Sequence, residues 1–251
     1  MYLNKKKLLS RSFIIIAIFS IFNYLFAHLA YMNMDTNMDA ALVYECITLY
    51  IAKIANFLIP VAISIMTVAV YACEGAKSAA ICAFTLSSAR LFYYLPYYYL
   101  IFILNYAYDS IESISLSLIA SIGVVVFTVL FAFVTVYLTK LIITKQNKNK
   151  RDFSARDYIR DAFSVKQNPF DITTGANLSI LIASLLSLTS CIIPEIIDTV
   201  SFFLDYGFDY TTGEILTIML NYLLIFALTI GSYPLAAYLK NRFSVSHNDS
   251  E

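Results

Sequence analysis

Apolar residues along this chain run in long unbroken stretches, without the alternation of a half-buried strand or the single stripe of a surface helix, and polar residues collect between the stretches. Six stretches reach the roughly 20 residues a helix needs to cross a hydrocarbon core, where the backbone must satisfy its own hydrogen bonds. They lie near residues 13–31, 42–71, 79–104, 115–138, 177–198 and 215–239. The pattern predicts an all-α integral membrane protein, a six-transmembrane-helix bundle forming a single domain over 1–251. The second and third stretches are long enough to tilt or to project beyond the bilayer.

Charge adds an orientation. Lys5, Lys6, Lys7 and Arg11 precede the first stretch, and Lys77 separates the second from the third. Eight basic residues between Lys140 and Lys166 separate the fourth from the fifth, and Lys240 and Arg242 follow the sixth. In a six-span zigzag all of these fall on one side. The opposite loops carry Asp35, Asp39, Asp109, Asp205 and Asp209 instead. The positive-inside bias therefore predicts cytoplasmic N- and C-termini in a multi-pass plasma-membrane protein. The first stretch, after its basic start, also has the outline of a secretory signal. Its length, Asn23 and the ending "AHLA" favour a retained helix.

Composition agrees with the pattern. Hydrophobic residues make up 60% of the chain and charged residues 14%, with a mean hydropathy of +0.72, against roughly 45–50% and about 25% in soluble domains. Cys46, Cys73, Cys82 and Cys191 lie in or beside apolar segments without C-x-x-C spacing, so they read as small hydrophobes, with no metal site and no disulfide framework.

The connection over 142–174 is the longest polar stretch. Within it, Ala155, Ile159, Ala162 and Phe163 fall on one side of a short helix, with Asp152, Arg156 and Arg160 on another. Such a helix lies on a membrane surface with its cations near headgroups, or is a solvated linker. Asn168-Pro169 ends it, and Asp171, Thr173 or Thr174 can cap the next helix.

Catalytic patterns are missing from the sequence. "CEGAKS" at 73–78 lacks the early glycine and the Gly-Lys pair of a phosphate loop, and His28 and His247 are the only histidines. No G-x-S-x-G elbow is present. Glu195 and Asp198 share a helical face, an arrangement that carboxylate chemistry or cation binding accepts, but near the outer interface solvation accounts for them. The expectation is a protein that is not an enzyme, with no cofactor, no metal and no nucleic-acid partner.

What remains are residues that membrane physics makes expensive. Arg90 stands eleven residues after Ala79, roughly 16 Å along a helix and so near mid-membrane. An arginine there costs about 2.5 to 3.5 kcal/mol on insertion scales, so it must face the bundle interior or a wet cavity. No carboxylate shares its depth, which leaves Ser87, the rings of Tyr93 and Tyr94, a free carbonyl or an anionic ligand group as neighbours. An arginine that packs among tyrosines and binds nothing satisfies the same constraint. Glu45, Lys53 and Asn56 share part of a face near the outer end of the second stretch, where Lys53 can meet Glu195 or Asp198 or reach headgroups by itself.

Four prolines lie inside stretches: Pro60, Pro96, Pro194 and Pro234, in the second, third, fifth and sixth. Each removes a helical hydrogen bond and kinks its segment. Their recurrence is what a three-plus-three repeat gives, inverted in the membrane because three is odd. Small residues at every fourth position, Gly75, Ala79, Ala83 and Ser87 on the third stretch and Ala183, Ser187 and Cys191 on the fifth, read as close helix contacts. The combination points to a small-solute permease or transport component with a central site at Arg90, taking an anionic small molecule. A non-transporting scaffold or accessory subunit, packed against a membrane-protein partner or a second copy, is the alternative. The lipid bilayer is a partner in either case.

Overall fold

The computed structural model describes residues 5–33, 38–93, 111–150, 152–164, 168, 170–206 and 212–245. Among them are seven α-helices: α1 Lys5–Asn33, α2 Met38–Glu74, α3 Ala76–Ser88, α4 Ile111–Gln146, α5 Ala155–Ser164, α6 Gly175–Tyr206 and α7 Thr212–Val245. A 3-10 turn, Ala89–Tyr93, continues α3. α2 is the central post and touches each of the other six.

Among the described residues, three segments are long and apolar enough to cross a membrane: Lys53–Glu74 in α2, Leu118–Gln146 in α4 and Gly175–Ser201 in α6. They coincide with the second, fourth and fifth predicted spans. Shorter apolar stretches occupy Leu9–Leu25 and Ile218–Pro234. Side chains are arranged to match, with Ile15 and Phe22 of α1, Phe84 of α3, Ile119 and Leu130 of α4, and Leu223 of α7 exposed. Ser64, Thr67, Thr128, Thr135 and Thr139 are buried. Apolar groups outside and hydroxyls inside suit a protein whose surroundings are lipid. The inward hydroxyls are mostly satisfied within their own helices, as Thr67 donates to the Ile63 carbonyl at 2.7 Å and Thr139 to that of Thr135 at 2.7 Å.

The predicted third helix is not continuous. It leaves α-geometry at Ala89, and residues 94–104 lie outside the described set. The chemistry is that of proline: Pro96 offers no N–H to the Phe92 carbonyl, and a residue preceding proline disfavours the α-region. Tightening into a 3-10 turn is a usual way for a helix to end. Pro60, Pro194 and Pro234, by contrast, stand inside continuous helices.

Small residues bring α3 into the bundle. Ala79, Ala83 and Ser87 are fully buried, and Ala83, Leu86 and Ala89 pack with Ile16 and Ala17 of α1, Ile63 of α2 and Ala132 of α4. On α6, Ala183 packs against Phe57 and Val61 of α2, and Ser184 shares a 2.8 Å hydrogen bond with Ser232 of α7.

The helix α5 does form over the expected apolar positions, but neither lipid nor solvent covers its face. Ala155 and Ile159 join a core with Val68 and Ala72 of α2, Val136 and Ile143 of α4, and Leu178 and Ile182 of α6. Three local features hold it there. Arg156 donates from Nε to the Ala72 carbonyl at 3.0 Å and from Nη2 to the Cys73 carbonyl at 3.2 Å, satisfying acceptors that the end of α2 leaves open. Gly75, at φ +97°, allows the reversal from α2 into α3 directly beside that guanidinium. Gly175 begins α6 at a point where a Cβ would stand 2.9 Å from Ile159 Cγ1 and 3.1 Å from its Cα, so nothing larger than hydrogen fits without moving α5.

Thr174, of the three candidates, is the cap of α6: its Oγ1 accepts from the Asn177 amide at 3.3 Å. Asp171 instead accepts from the amide and hydroxyl of Thr173, at 3.0 and 2.6 Å. The hydroxyl bond, followed by the amide bond, holds the Asp171 carboxyl below its ordinary pKa.

Candidate functional site

Arg90 sits on the 3-10 turn, half-buried, with its guanidinium reaching across the bundle. Nη1 donates to Thr128 Oγ1 of α4 at 2.9 Å, and Nη2 to Asn56 Oδ1 of α2 at 2.8 Å. Thr128 is preset for this role. Its own proton goes to the Val124 carbonyl at 2.7 Å, which turns the oxygen's lone pairs toward the arginine. Two edge-to-face ring pairs fasten the turn to α1: Phe92 on Phe13 at 5.8 Å and Tyr93 on Tyr24 at 5.9 Å.

Beside the guanidinium lies a cavity of about 70 Å³. Its polar lining is Ser20 and Asn23 from α1, Asn56 from α2, and Arg90 and Tyr93 from the 3-10 turn. Ala55, Ile59 and Val124 complete the wall. Asn23 is only 8% exposed, and its Oδ1 has no hydrogen-bond partner among the described residues. A buried acceptor left without a donor costs about 1–3 kcal/mol, and this one is buried in the cavity's wall. The volume is several times the ~10–15 Å³ that admits one water. What the lining offers is binding: a permanent positive charge, two amides and two hydroxyls around one space.

The predicted site residues are distributed as follows. Arg90 and Tyr93 line the cavity; Ser87 does not, being fully buried on the packing face of α3 with its Oγ unpartnered among the described residues. Tyr94 and Pro96 lie outside the described residues, as do the side chains of Glu45, Glu195 and Asp198. Asn56, grouped from sequence with the outer charges, is engaged by Arg90, whereas Lys53 stands half-buried one turn earlier on α2.

Asn23, Ser20 and Thr128 are the lining and bridging residues that sequence reading passed over. One signal was available. Counted from the predicted bounds, Asn56 falls about halfway along 42–71 and not near its outer end, level with Asn23 in 13–31, Arg90 in 79–104 and Thr128 in 115–138, so equal depth alone places them together. Comparison of the chain with known protein families, with curated proteins and with solved structures finds no match in any of the three.

Proposed function

We propose that the chain is a small-solute permease or transport component of the plasma membrane, with six spans, cytoplasmic termini and a central site at Arg90 that takes an anionic small molecule. The observation that carries this reading is the cavity itself: the Arg90 guanidinium, the amides of Asn23 and Asn56 and the hydroxyls of Ser20 and Tyr93 line one partly open space between the helices. Membrane energetics support it, because a charge at that depth is tolerated where protein or trapped water surrounds it. The one-sided placement of basic residues supports the orientation. The spacing of Pro60, Pro96, Pro194 and Pro234 favours an inverted three-plus-three arrangement of the spans.

The test is a thermal-shift screen of the purified full chain against small inorganic anions, carboxylates, amino acids and vitamins. A true ligand near a hundredfold above its Kd adds about 2.7 kcal/mol, which is on the order of 5 °C for a protein of this size. The expected result is such a shift for at least one anion. A wild-type protein that responds to no anion would leave Arg90 as a tie between helices and the chain as a scaffold.

A further inference from the structure

The most exposed wall of α4 changes character along its length. Val126, Leu130, Val134, Tyr137 and Leu141 are exposed on one stripe that runs away from the packed face bearing Thr139 and Ile143. From Val126 to Leu141 the stripe measures roughly 22 Å at helical rise, longer than the roughly 15 Å of hydrocarbon in one leaflet. It then ends in a groove of about 430 Å³ lined by Tyr137, Lys140, Leu141, Thr144, Lys145 and Lys148. Three lysines and one threonine thus border an open surface depression on α4 and the turn that follows it, whose floor is aromatic and aliphatic. None of the three lysines has an ion pair among the described residues.

We infer that this groove is a binding site for one anionic phospholipid, with the phosphodiester headgroup among Lys140, Lys145 and Lys148 and an acyl chain along Tyr137 and Leu141. Charge complementarity selects the occupant. A zwitterionic lipid would place its own cation among three lysines, and a soluble anion would leave the apolar floor uncovered. Both demands are met by a headgroup of net negative charge attached to a hydrocarbon tail. Thr144 lies on the same face of α4 as Lys140 and Leu141 and brings a hydroxyl to it. The inference uses only α4 and is independent of what Arg90 binds.

The experiment is native mass spectrometry of the full chain in detergent, titrated with phosphatidylglycerol, phosphatidylcholine and soluble glycerophosphoglycerol. A lysine near an anionic headgroup is worth about fivefold in affinity. The expected result is selective retention of phosphatidylglycerol by the wild type, and an affinity lower by on the order of a hundredfold in K140Q/K145Q/K148Q. An equal loss of charge elsewhere, R11Q/K77Q/R160Q, is expected to leave binding within about twofold, since those exposed side chains, on α1, α3 and α5, do not line the groove. Any of four results overturns the site: equal binding of the two lipids, an unchanged triple variant, an equal fall in the control variant, or soluble headgroup binding as tight as lipid. A dimer that forms in place of lipid adducts and is lost in the triple variant would assign the groove to a second copy and overturn it equally.

Discussion

Replacing Arg90 with methionine is expected to weaken ligand binding sharply and leave the fold standing. The arginine is held by two neutral acceptors, Thr128 Oγ1 and Asn56 Oδ1. Neither is stranded by its loss, because the Thr128 hydroxyl keeps its bond to the Val124 carbonyl and Asn56 is exposed on the cavity side. Methionine retains much of the stem volume, and the insertion cost of about 2.5 to 3.5 kcal/mol that a mid-span arginine carries disappears. These terms offset the two lost charge-assisted bonds, so the ligand-free variant should unfold within about 1 kcal/mol of wild type. Ligand affinity behaves differently. A charge-assisted hydrogen bond is worth about 1.5–3 kcal/mol, so an anion that stabilises the wild type should bind R90M more weakly by roughly ten- to a hundredfold. Thermal unfolding with and without that anion separates the two quantities. A variant that loses several kcal/mol in the absence of ligand would mean that the arginine is there to hold helices together.

Ile159→Ala is expected to be among the most damaging single substitutions on the polar side of the bundle. The side chain is completely buried and packs in the same core as Val68, Val136, Ile143 and Leu178. Truncating a buried isoleucine costs about 2–5 kcal/mol, and the larger figure applies where neighbours cannot close the gap. Here Gly175 offers no side chain to fill it. Loosening α5 also withdraws Arg156 from the carbonyls of Ala72 and Cys73, so the end of α2 should fray with it. The comparison is Arg160→Ala on the exposed face, where pairs with Asp157 and Asp161 are solvated and a change within about 0.5 kcal/mol is expected. Equal stability of the two variants in detergent unfolding would mean that the apolar face of α5 rests on lipid or micelle instead of on α2, α4 and α6.

The same helix shows what hydropathy can and cannot carry. Ala155, Ile159, Ala162 and Phe163 announce an apolar face through their spacing, and the helix forms over them. A pattern of that kind specifies a face that needs cover without specifying the cover, since lipid and protein are equally apolar to it. The deciding residues were the glycines: Gly175 is small because α5 crosses it, a fact that a single sequence does not distinguish from a loop glycine. The break at Ala89 was equally hidden, because α and 3-10 turns carry the same apolar content and Pro96 signals only that a helix must yield nearby. Arg90 itself was conspicuous. Its partners were not, because a lone threonine or asparagine in an apolar helix usually serves its own backbone. Thr128 in fact does both, donating to Val124 while accepting from Arg90.

The claim on which the rest depends is that water reaches the guanidinium of Arg90 at the centre of the bundle. It is tested most directly by thiol labelling with a charged, membrane-impermeant methanethiosulfonate in a background where Cys46, Cys73, Cys82 and Cys191 are replaced. Arg90→Cys should react, because a thiolate forms only where water is present, whereas Phe84→Cys, on the exposed apolar side of α3, should not. Reaction at position 90 well above that at position 84 is the predicted result. A position 90 as inert as position 84 would contradict it.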